Sequence, residues 1–250
     1  MVPAVVRAQE AGGKGPQAPD HLGALAKANL EKPRPKPPFD VTGVWDIDLR
    51  ASHGFQFKPM PKLKPAAQAL YDASEKAISE GKAFKDDPGE CWPPGMPRVV
   101  TRVWPMQLIQ LPTMIVMIHG FENSVRWIYL DGRPHTDPDI VVPSYNGDSI
   151  GHWEGDTLVV DTVSMEPKHH WIAEGVPVSD QFHIIERIKL TDGGKTLEDE
   201  FTLIDPVNWE GDWVHTLVYR LADSKDITEV ECLPSTNEHL LSTRPADNIR

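Results

Sequence analysis

The stretch Gly151-His-Trp-Glu-Gly-Asp-Thr-Leu-Val-Val-Asp-Thr162 carries the strongest structural signal in this chain. Its Gly-Asp pair at 155–156 is typical of a tight turn, and the residues after it alternate between two faces, as they do in a β-strand. One of these faces carries Asp161 between Val159 and Val163. A carboxylate inside an apolar strand costs free energy unless it is paired or used. The stretch therefore predicts a turn followed by a strand, with an arginine or a histidine as the partner of Asp161.

Similar alternating segments recur along the chain, and residues typical of turns separate them. The 250 residues include 24 Pro and 18 Gly, a composition that favours many turns and short elements. We predict strands at 42–49, 98–104, 106–111, 113–119, 123–130, 157–164, 181–190, 196–204, 212–221 and 226–232. Short turns between neighbouring strands predict three hairpins: 113–119 with 123–130, 181–190 with 196–204, and 212–221 with 226–232.

Short strands with mostly short connections predict one all-β domain over residues 41–240. We predict an antiparallel, lipocalin-like barrel, because closure removes exposed sheet edges, and we keep a β-sandwich as the alternative. One helix is predicted at 65–82, since Pro65 suits its first turn and Gly81 its C-terminal cap. Residues 1–40 are rich in Pro, Gly, Ala and Lys, and this composition predicts a disordered lead-in. A barrel of about eight strands or slightly more has room inside for one small ligand.

The charge and hydropathy patterns exclude several classes of partner. The net charge is −12, and Lys and Arg form no cluster of the kind that binds nucleic acid. No apolar run reaches the roughly 20 residues that span a bilayer. We therefore expect a small-molecule partner, no nucleic acid and no membrane span, and we leave a homodimer open. Ala8-Gln9-Glu10 resembles the start of a mature exported protein, so we expect a periplasmic or exported location, with the cytoplasm as the alternative.

Ionisable side chains lie inside several predicted strands. His183 and Arg187 share one face of strand 181–190, and Glu186 lies on its other, mostly apolar face. An apolar pocket with a few inward polar groups suits a small aromatic or phenolic ligand, and histidine is the natural proton carrier near neutral pH. We therefore predict an enzyme that carries out acid/base chemistry of the lyase or isomerase type, such as decarboxylation, inside the barrel and without a cofactor.

The site residues divide into two groups in this hypothesis. The predicted catalytic residues are His183, His135, Asp180 and Glu186. The predicted substrate-binding residues are Arg187, Arg126, His119, His215, Tyr129 and Asp161. His183 transfers the proton, and Glu186 or Asp180 orients it. Arg187 or Arg126 holds an anionic group of the substrate by a two-pronged contact.

Several alternatives stay open from the sequence. Each of these residues could instead be a structural group, and the chain could be a non-catalytic exported protein that binds an apolar ligand. It could also be an enzyme that depends on a divalent metal held by His169, His170 and His183, although the His-x-x-x-His and Cys-x-x-Cys spacings of common metal sites are absent. The acid/base hypothesis requires that His135, His183 and His215 converge.

Several motifs occur together over roughly residues 88–235. They are Cys91-Trp-Pro-Pro-Gly-Met-Pro-Arg98, Asp131-Gly-Arg-Pro-His135, the stretch 151–162, Ser179-Asp-Gln-Phe-His-Ile-Ile-Glu-Arg187, Asp205-Pro206 and Glu231-Cys232. In these motifs the chain resembles a large, mostly uncharacterised group of bacterial proteins that often carry export signals. The resemblance implies a barrel-like fold and a link between Cys91 and Cys232, which the sequence alone leaves as a disulfide or as two separate thiols. It implies no particular reaction, and the lyase hypothesis rests on an analogy with lipocalin-type barrels that decarboxylate phenolic acids without a cofactor.

The chain departs from that group at one position next to a candidate residue. Members often have a histidine just before the Ser-Asp motif, and here Val178 takes its place, while His169 and His170 lie upstream. A specialised substrate is one explanation of this difference.

Overall fold

Nine strands form a closed barrel in the computed structural model, which describes residues 22–54, 56–82, 87–223 and 225–232. The strands of the described residues are β1 (Gly43–Ile47), β2 (Met106–Gln110), β3 (Met114–His119), β4 (Ser124–Tyr129), β5 (Asp148–Glu154), β6 (Thr157–Val163), β7 (Trp171–Ala173), β8 (Val176–Pro177), β9 (His183–Thr191), β10 (Thr196–Ile204) and β11 (Trp213–Leu221). The barrel runs in the order β1–β11–β10–β9–β6–β5–β4–β3–β2 and closes between β2 and β1. β7 and β8 form a separate two-stranded sheet.

The ring of strands confirms the predicted lipocalin-like barrel. The alternative β-sandwich is wrong, because each barrel strand is hydrogen-bonded to two neighbours around the ring. Neighbouring strands are antiparallel with one exception: β4 and β5 are parallel, and only Ile128 with Ser149 and Tyr129 with Ile150 pair across them. This β4–β5 seam is the shortest ladder in the barrel, so side-chain contacts contribute more to holding these two strands together than they do for the other strand pairs.

Two α-helices accompany the barrel in the described residues: α1 (Lys27–Leu30) and α2 (Pro65–Ser79). α2 corresponds to the predicted helix, with Pro65 in its first turn and Gly81 just beyond it at φ +70°. The helix packs against the β7–β8 hairpin at Gly175, where a Cβ would lie 2.9 Å from the backbone of Leu70 and Tyr71. Only glycine permits this close approach.

The predicted strand 98–104 is wrong. Residues Val99–Thr101 form a 3₁₀ turn, and all three are buried. A strand at the surface of a barrel would turn one of two consecutive valines outward, whereas the turn buries both. The turn is fixed to the barrel, because the Tyr219 hydroxyl donates to the Val100 carbonyl at 2.9 Å.

Two further segments differ from the prediction. The third hairpin is wrong: β11 pairs with β1 and β10, and the segment 226–232 contributes only an isolated bridge between Phe121 and Val230. β5 was not among the predicted strands, because Gly151 and polar neighbours interrupt its alternation. It nevertheless pairs with β6 over seven positions, which the tight Gly-Asp turn between them allows.

Part of the predicted lead-in packs on the barrel. Asn29, in α1, is buried and donates to the carboxylate of Asp131 at 2.8 Å, and the Thr113 hydroxyl donates to the Ala24 carbonyl at 2.8 Å. Residues 22–40 are therefore held by the barrel, while 1–21 of the predicted lead-in lie outside the described residues.

The described part of the chain also contains the disulfide that the family resemblance implies. It joins Cys91 to Cys232 across a sequence separation of 141 residues, with a Cα–Cα distance of 5.4 Å. No helix among the described residues has the length and apolarity needed to cross a membrane.

The interior of the barrel is filled by the chain's own side chains. Apolar groups from all around the ring have at most 1 % of their surface exposed: Trp45, Ile115, Ile128, Leu158, Ile184, Leu197, Phe201, Leu203 and Leu217. Among them lies one polar network centred on Arg126, whose side chain is 1 % exposed. The barrel interior around Arg126 is therefore a packed core rather than an open pocket.

Arg126 connects four neighbouring strands. Its Nη1 donates to Glu186 on β9 at 2.8 Å, and its Nη2 also donates to the Glu186 carboxylate. The Nε atom donates to the Ser149 hydroxyl on β5 at 3.0 Å, and Nη2 donates to the Thr162 hydroxyl on β6 at 2.7 Å. Because the guanidinium is occupied by the protein's own carboxylate, the prediction that Arg126 holds a substrate anion is wrong.

A second carboxyl group borders this network. Asp199 on β10 shares the inward face with Glu186, and burial raises its pKa well above 3.8, with the negative charge of Glu186 adding to the effect and Arg126 opposing it. In its protonated form, which burial favours, Asp199 can donate a hydrogen bond to Glu186.

We predict that Arg126→Met lowers the free energy of unfolding by about 3–5 kcal/mol, because it leaves the Glu186 carboxylate buried without a cation. Chemical unfolding measures this loss. The matched control is Arg187→Gln, one position from Glu186, which removes an exposed ion pair with Glu154 and should cost less than about 1 kcal/mol. Equal losses in the two variants would contradict the structural role of Arg126.

We predict that Asp199→Asn removes a pH dependence of stability. Since the folded-state pKa of Asp199 is raised, the native protein keeps a proton that the unfolded chain releases above about pH 4, so the wild-type free energy of unfolding falls as the pH rises. The amide of the variant still donates to Glu186 but has no proton to lose. Urea unfolding between about pH 4.5 and about pH 7.5 should show the variant gaining stability relative to the wild type as the pH rises. A constant difference would contradict the raised pKa of Asp199.

Candidate functional site

The barrel wall separates the predicted site residues into an inner and an outer group. Along β9, Glu186 points inward and is fully buried, whereas His183 and Arg187 lie on the outer face and are partly exposed. Side chains of a strand alternate between faces, so residues three apart point to opposite sides. The prediction that Glu186 orients His183 is therefore wrong, and the expected active site inside the barrel is not formed by this pair.

Two histidines meet one carboxylate on the outer wall. Nε2 of His183 lies 2.9 Å from Oδ1 of Asp161, and Nε2 of His135 lies 3.1 Å from the same oxygen. On its other side, Nδ1 of His135 lies 3.4 Å from the carboxylate of Asp148. Three residues predicted from separate motifs thus form one group, the His135–Asp161–His183 cluster.

Each member of the cluster is positioned by a different element. Asp161 projects from β6, His183 begins β9, and His135 lies in the long connection between β4 and β5. The connection is fixed next to His135, because the backbone N–H of Thr136 donates to the carboxylate of Asp148 at 2.6 Å. The side chains of His135, Asp161 and His183 are 24 %, 38 % and 30 % exposed, so a molecule from solvent can reach them.

The electrostatics of the cluster keep Asp161 ionised. Its hydrogen bond with His183 is the largest cause that lowers the pKa of Asp161 below 3.8, partial burial opposes this, and the charge of His183 and the bond with His135 lower it further. An ionised carboxylate only accepts hydrogen bonds, so both Nε2 atoms carry hydrogen when they bond to it. The Nδ1 atom of a neutral ring in this arrangement is a proton acceptor, which is the geometry of a carboxylate-oriented general base.

The cluster lies on an apolar strip of the outer wall. Ile150 on β5 and Ile185 on β9 are the cross-strand partners of Asp161 and are partly buried.

Three other predicted residues lie on the outer side without joining the cluster. Arg187 pairs with Glu154 at 2.9 Å, and the Arg133 guanidinium lies 4.0 Å from the centre of the Tyr129 ring. Asp180 is exposed, and the carboxylate bonded to His183 is that of Asp161. The carboxylate that contacts His183 is therefore not that of Asp180.

The remaining two histidines of the predicted site are buried and bond to the protein's own backbone. His119 is buried and its Nδ1 accepts the backbone N–H of Phe121 at 3.1 Å; burial, with Arg102 nearby, lowers its pKa to about 4. His215 is buried on the inner side of β11, where its ring nitrogens lie 2.9 Å from the Lys58 carbonyl and 3.2 Å from the Ser52 carbonyl. His135 and His183 come together on the outer side, whereas His215 lies on the inner side, so the acid/base site inside the barrel that requires all three histidines is not formed.

The alternative metal ligands do not come together. His169 stacks on Trp92 with a centroid distance of 4.0 Å. His170 is buried between the carbonyls of Glu166 at 3.0 Å and Met96 at 2.9 Å, and burial lowers its pKa to about 4. His183 bonds to Asp161 instead. Over residues 22–54, 56–82, 87–223 and 225–232, no three or more His, Cys, Asp or Glu side chains are grouped to hold a metal ion.

Two important residues were missed by the sequence reasoning. Asp199 lies between Leu197 and Phe201 on one strand face, so the rule that selected Asp161 would also have selected it. Asp148 gave no such signal, because β5 itself was not predicted. Its position beside His135 depends on the parallel pairing of β4 and β5.

No family model and no curated protein matches the chain. Among solved structures, the fluorescent protein UnaG is similar, with 16 % identity, 72 % of this chain and 96 % of that chain covered, and a TM-score of 0.33. A secretary abundant heat soluble protein from Ramazzottius varieornatus is also similar, with 9 % identity, coverage of 75 % and 98 %, and a TM-score of 0.34.

Proposed function

We propose that this chain is an enzyme that moves a proton on a small molecule at the His135–Asp161–His183 cluster, in a reaction of the lyase or isomerase type. The observation that carries the proposal is the bonding of two accessible imidazoles to one carboxylate oxygen. An ion pair that only stabilises the wall needs a single partner for Asp161. Two proton carriers that share one anion can instead take a proton and return one.

Each member has a definite role in this proposal. Nδ1 of His183 accepts a proton from the substrate, and the imidazolium that forms is stabilised by Asp161 through Nε2. In an isomerisation this electron pair shifts to a new double bond. In a decarboxylation the proton comes from a phenolic hydroxyl, the carbon that bears the carboxylate is protonated, and carbon dioxide leaves while the electron pair of the broken C–C bond stays on the substrate. The proton then returns to the product from His183 or from His135. The step needs no oxidant and no cofactor.

The surroundings support an aromatic or phenolic substrate. Ile150 and Ile185 lie on either side of Asp161 and offer apolar contacts beside the polar cluster. The proposed site is the outer wall, and no part of the reaction takes place in the packed interior.

We also propose a periplasmic or exported location. The Cys91–Cys232 disulfide supports it, because such bonds persist in oxidising compartments and are rare in the cytoplasm.

A hydrogen-exchange experiment tests the proposal. The protein is incubated in D₂O with 4-hydroxycinnamate, 4-hydroxybenzoate and their decarboxylated products, and proton NMR follows both deuterium incorporation and turnover. We predict that His183→Gln reduces the rate at least about 100-fold, as expected for loss of a general base, and that Asp161→Asn also reduces it. The matched control is His152→Gln, which removes an exposed histidine on neighbouring β5 and should leave the rate unchanged.

Several outcomes would contradict the proposal. A folded His183→Gln protein with wild-type exchange removes the catalytic role of the cluster. Binding of these compounds without exchange or turnover favours the non-catalytic ligand-binding protein. Loss of the rate on chelation, with recovery on adding a divalent metal, favours the metal-dependent enzyme.

A further inference from the structure

The motif Asp131-Gly-Arg-Pro-His135 forms a turn that is fixed by its own ion pair. Arg133 donates twice to the Asp131 carboxylate, from Nε to Oδ1 at 2.8 Å and from Nη2 to Oδ2 at 2.6 Å. Gly132, between them, adopts φ +79°, in the left-handed region that favours glycine. The turn therefore has a defined shape, and its last residue is His135.

This ion pair is largely shielded from solvent. The Asp131 side chain is 4 % exposed and the Arg133 side chain 10 %. Burial alone would raise the pKa of Asp131, but the hydrogen bonds from Arg133 and Asn29 and the charge of Arg133 lower it to about 2. Asp131 is therefore ionised in the pH range where histidines ordinarily titrate, so proton movement at His135 does not break the pair.

A residue of the N-terminal lead-in binds the same carboxylate. Nδ2 of Asn29, in α1, donates to Oδ2 of Asp131 at 2.8 Å. The orientation of this amide is fixed, because Nη2 of Arg34 donates to Oδ1 of Asn29 at 2.6 Å. A helix of four residues is not stable by itself, so α1 depends on such contacts for its position on the barrel. The lead-in and the turn that carries His135 therefore support each other.

The turn is also attached to the row of outer-wall residues that includes Asp161. The Arg133 guanidinium lies 4.0 Å from the centre of the Tyr129 ring. Tyr129 pairs with Ile150 across the β4–β5 seam, and Ile150 pairs with Asp161 across the next ladder. Arg133 thus contacts the same row of strand residues from which Asp161 reaches Nε2 of His135 at 3.1 Å.

We propose that Asn29, Asp131 and Arg133 form a positioning network that holds His135 against Asp161, and that the lead-in helix α1 is thereby part of the proposed site. The three residues act through His135 and do not touch the substrate. A shielded ion pair adds little stability over an apolar pair, whereas a small displacement of a proton carrier lowers the reaction rate strongly. The effect on turnover rests on the proposed function, but the position of the His135 ring can be measured without a substrate.

Histidine ring NMR on the full chain tests the geometry. Asn29→Ala removes the amide and keeps the pair of Asp131 with Arg133. We expect it to shift the ring ¹H and ¹⁵N signals of His135 more than those of His183, because His183 is carried by β9. Asp131→Asn, which removes the charge that binds Arg133, should do the same. The matched control is Thr113→Val, which removes the hydrogen bond to the Ala24 carbonyl of the lead-in without a contact to Asp131, and it should shift neither ring.

The deuterium-exchange assay with 4-hydroxycinnamate measures the effect on turnover. We expect Asn29→Ala to lower kcat at least about tenfold and to leave KM little changed, because the change displaces a proton carrier and removes no contact with the substrate. Thr113→Val should keep the wild-type kcat. A role in stability alone would lower the free energy of unfolding in both variants and would leave kcat of the folded protein unchanged.

The two measurements separate failure of the network from failure of the proposed function. His135 signals that stay unchanged in Asn29→Ala, or that move as far in Thr113→Val, would overturn the network and leave the proposed function standing. Asn29→Ala decides this alone if Asp131→Asn does not fold. A shifted His135 ring with wild-type kcat would overturn the role of the network in turnover. No turnover in the wild type, together with the His135 shift in Asn29→Ala, would reject the proposed function and support the positioning of His135 by the network.

Discussion

The guanidinium of Arg126 joins four neighbouring strands, and its contacts cross the β4–β5 seam, which is the shortest ladder of the barrel. β4 and β5 share only two paired positions, and Arg126 crosses this seam to Ser149 and continues to Thr162 and Glu186. A buried ion pair adds little stability over a well-packed apolar pair, yet losing one partner is costly. We infer that Arg126 and Glu186 specify the order and register of β4, β5, β6 and β9, and that closure of the barrel depends on them.

This use of charge inside the barrel decides where chemistry can take place. Inside the barrel, Arg126 bonds to Ser149, Thr162 and Glu186, and apolar side chains fill the space around them. The partly exposed histidines, His135 and His183, lie on the outer side of the barrel wall. Asp161 and Thr162 are neighbours on β6, yet one holds the outer histidines and the other bonds to Arg126. The strand thus contributes to closure through one face and to the candidate site through the other.

Much of this arrangement could be predicted from alternation in the sequence. The strands around Asp161 and His183 were predicted close to their observed bounds, as was the placement of His183 and Glu186 on opposite faces. A histidine partner for Asp161 was among the expected options. The prediction went wrong where alternation along a strand gives no information about tertiary packing. It does not reveal that apolar side chains surround Arg126 and Glu186 in the barrel interior, and so Arg126 was assigned to substrate binding and Glu186 to the orientation of His183. It also cannot tell that Val99 and Val100 enter a buried turn, or that a long connection brings His135 back over β6.

The separation of the two polar groups by the barrel wall is the central claim, and side-chain NMR of the histidines tests it most directly. The ring ¹H and ¹⁵N signals are compared in the wild type, in Asp161→Asn and in Asp199→Asn. The account predicts that Asp161→Asn shifts the signals of both His135 and His183, because both rings bond to that carboxylate, and that Asp199→Asn shifts neither. If Asp161→Asn moved only one of the two, or if Asp199→Asn moved them as much as Asp161→Asn does, the two groups would not be organised as described.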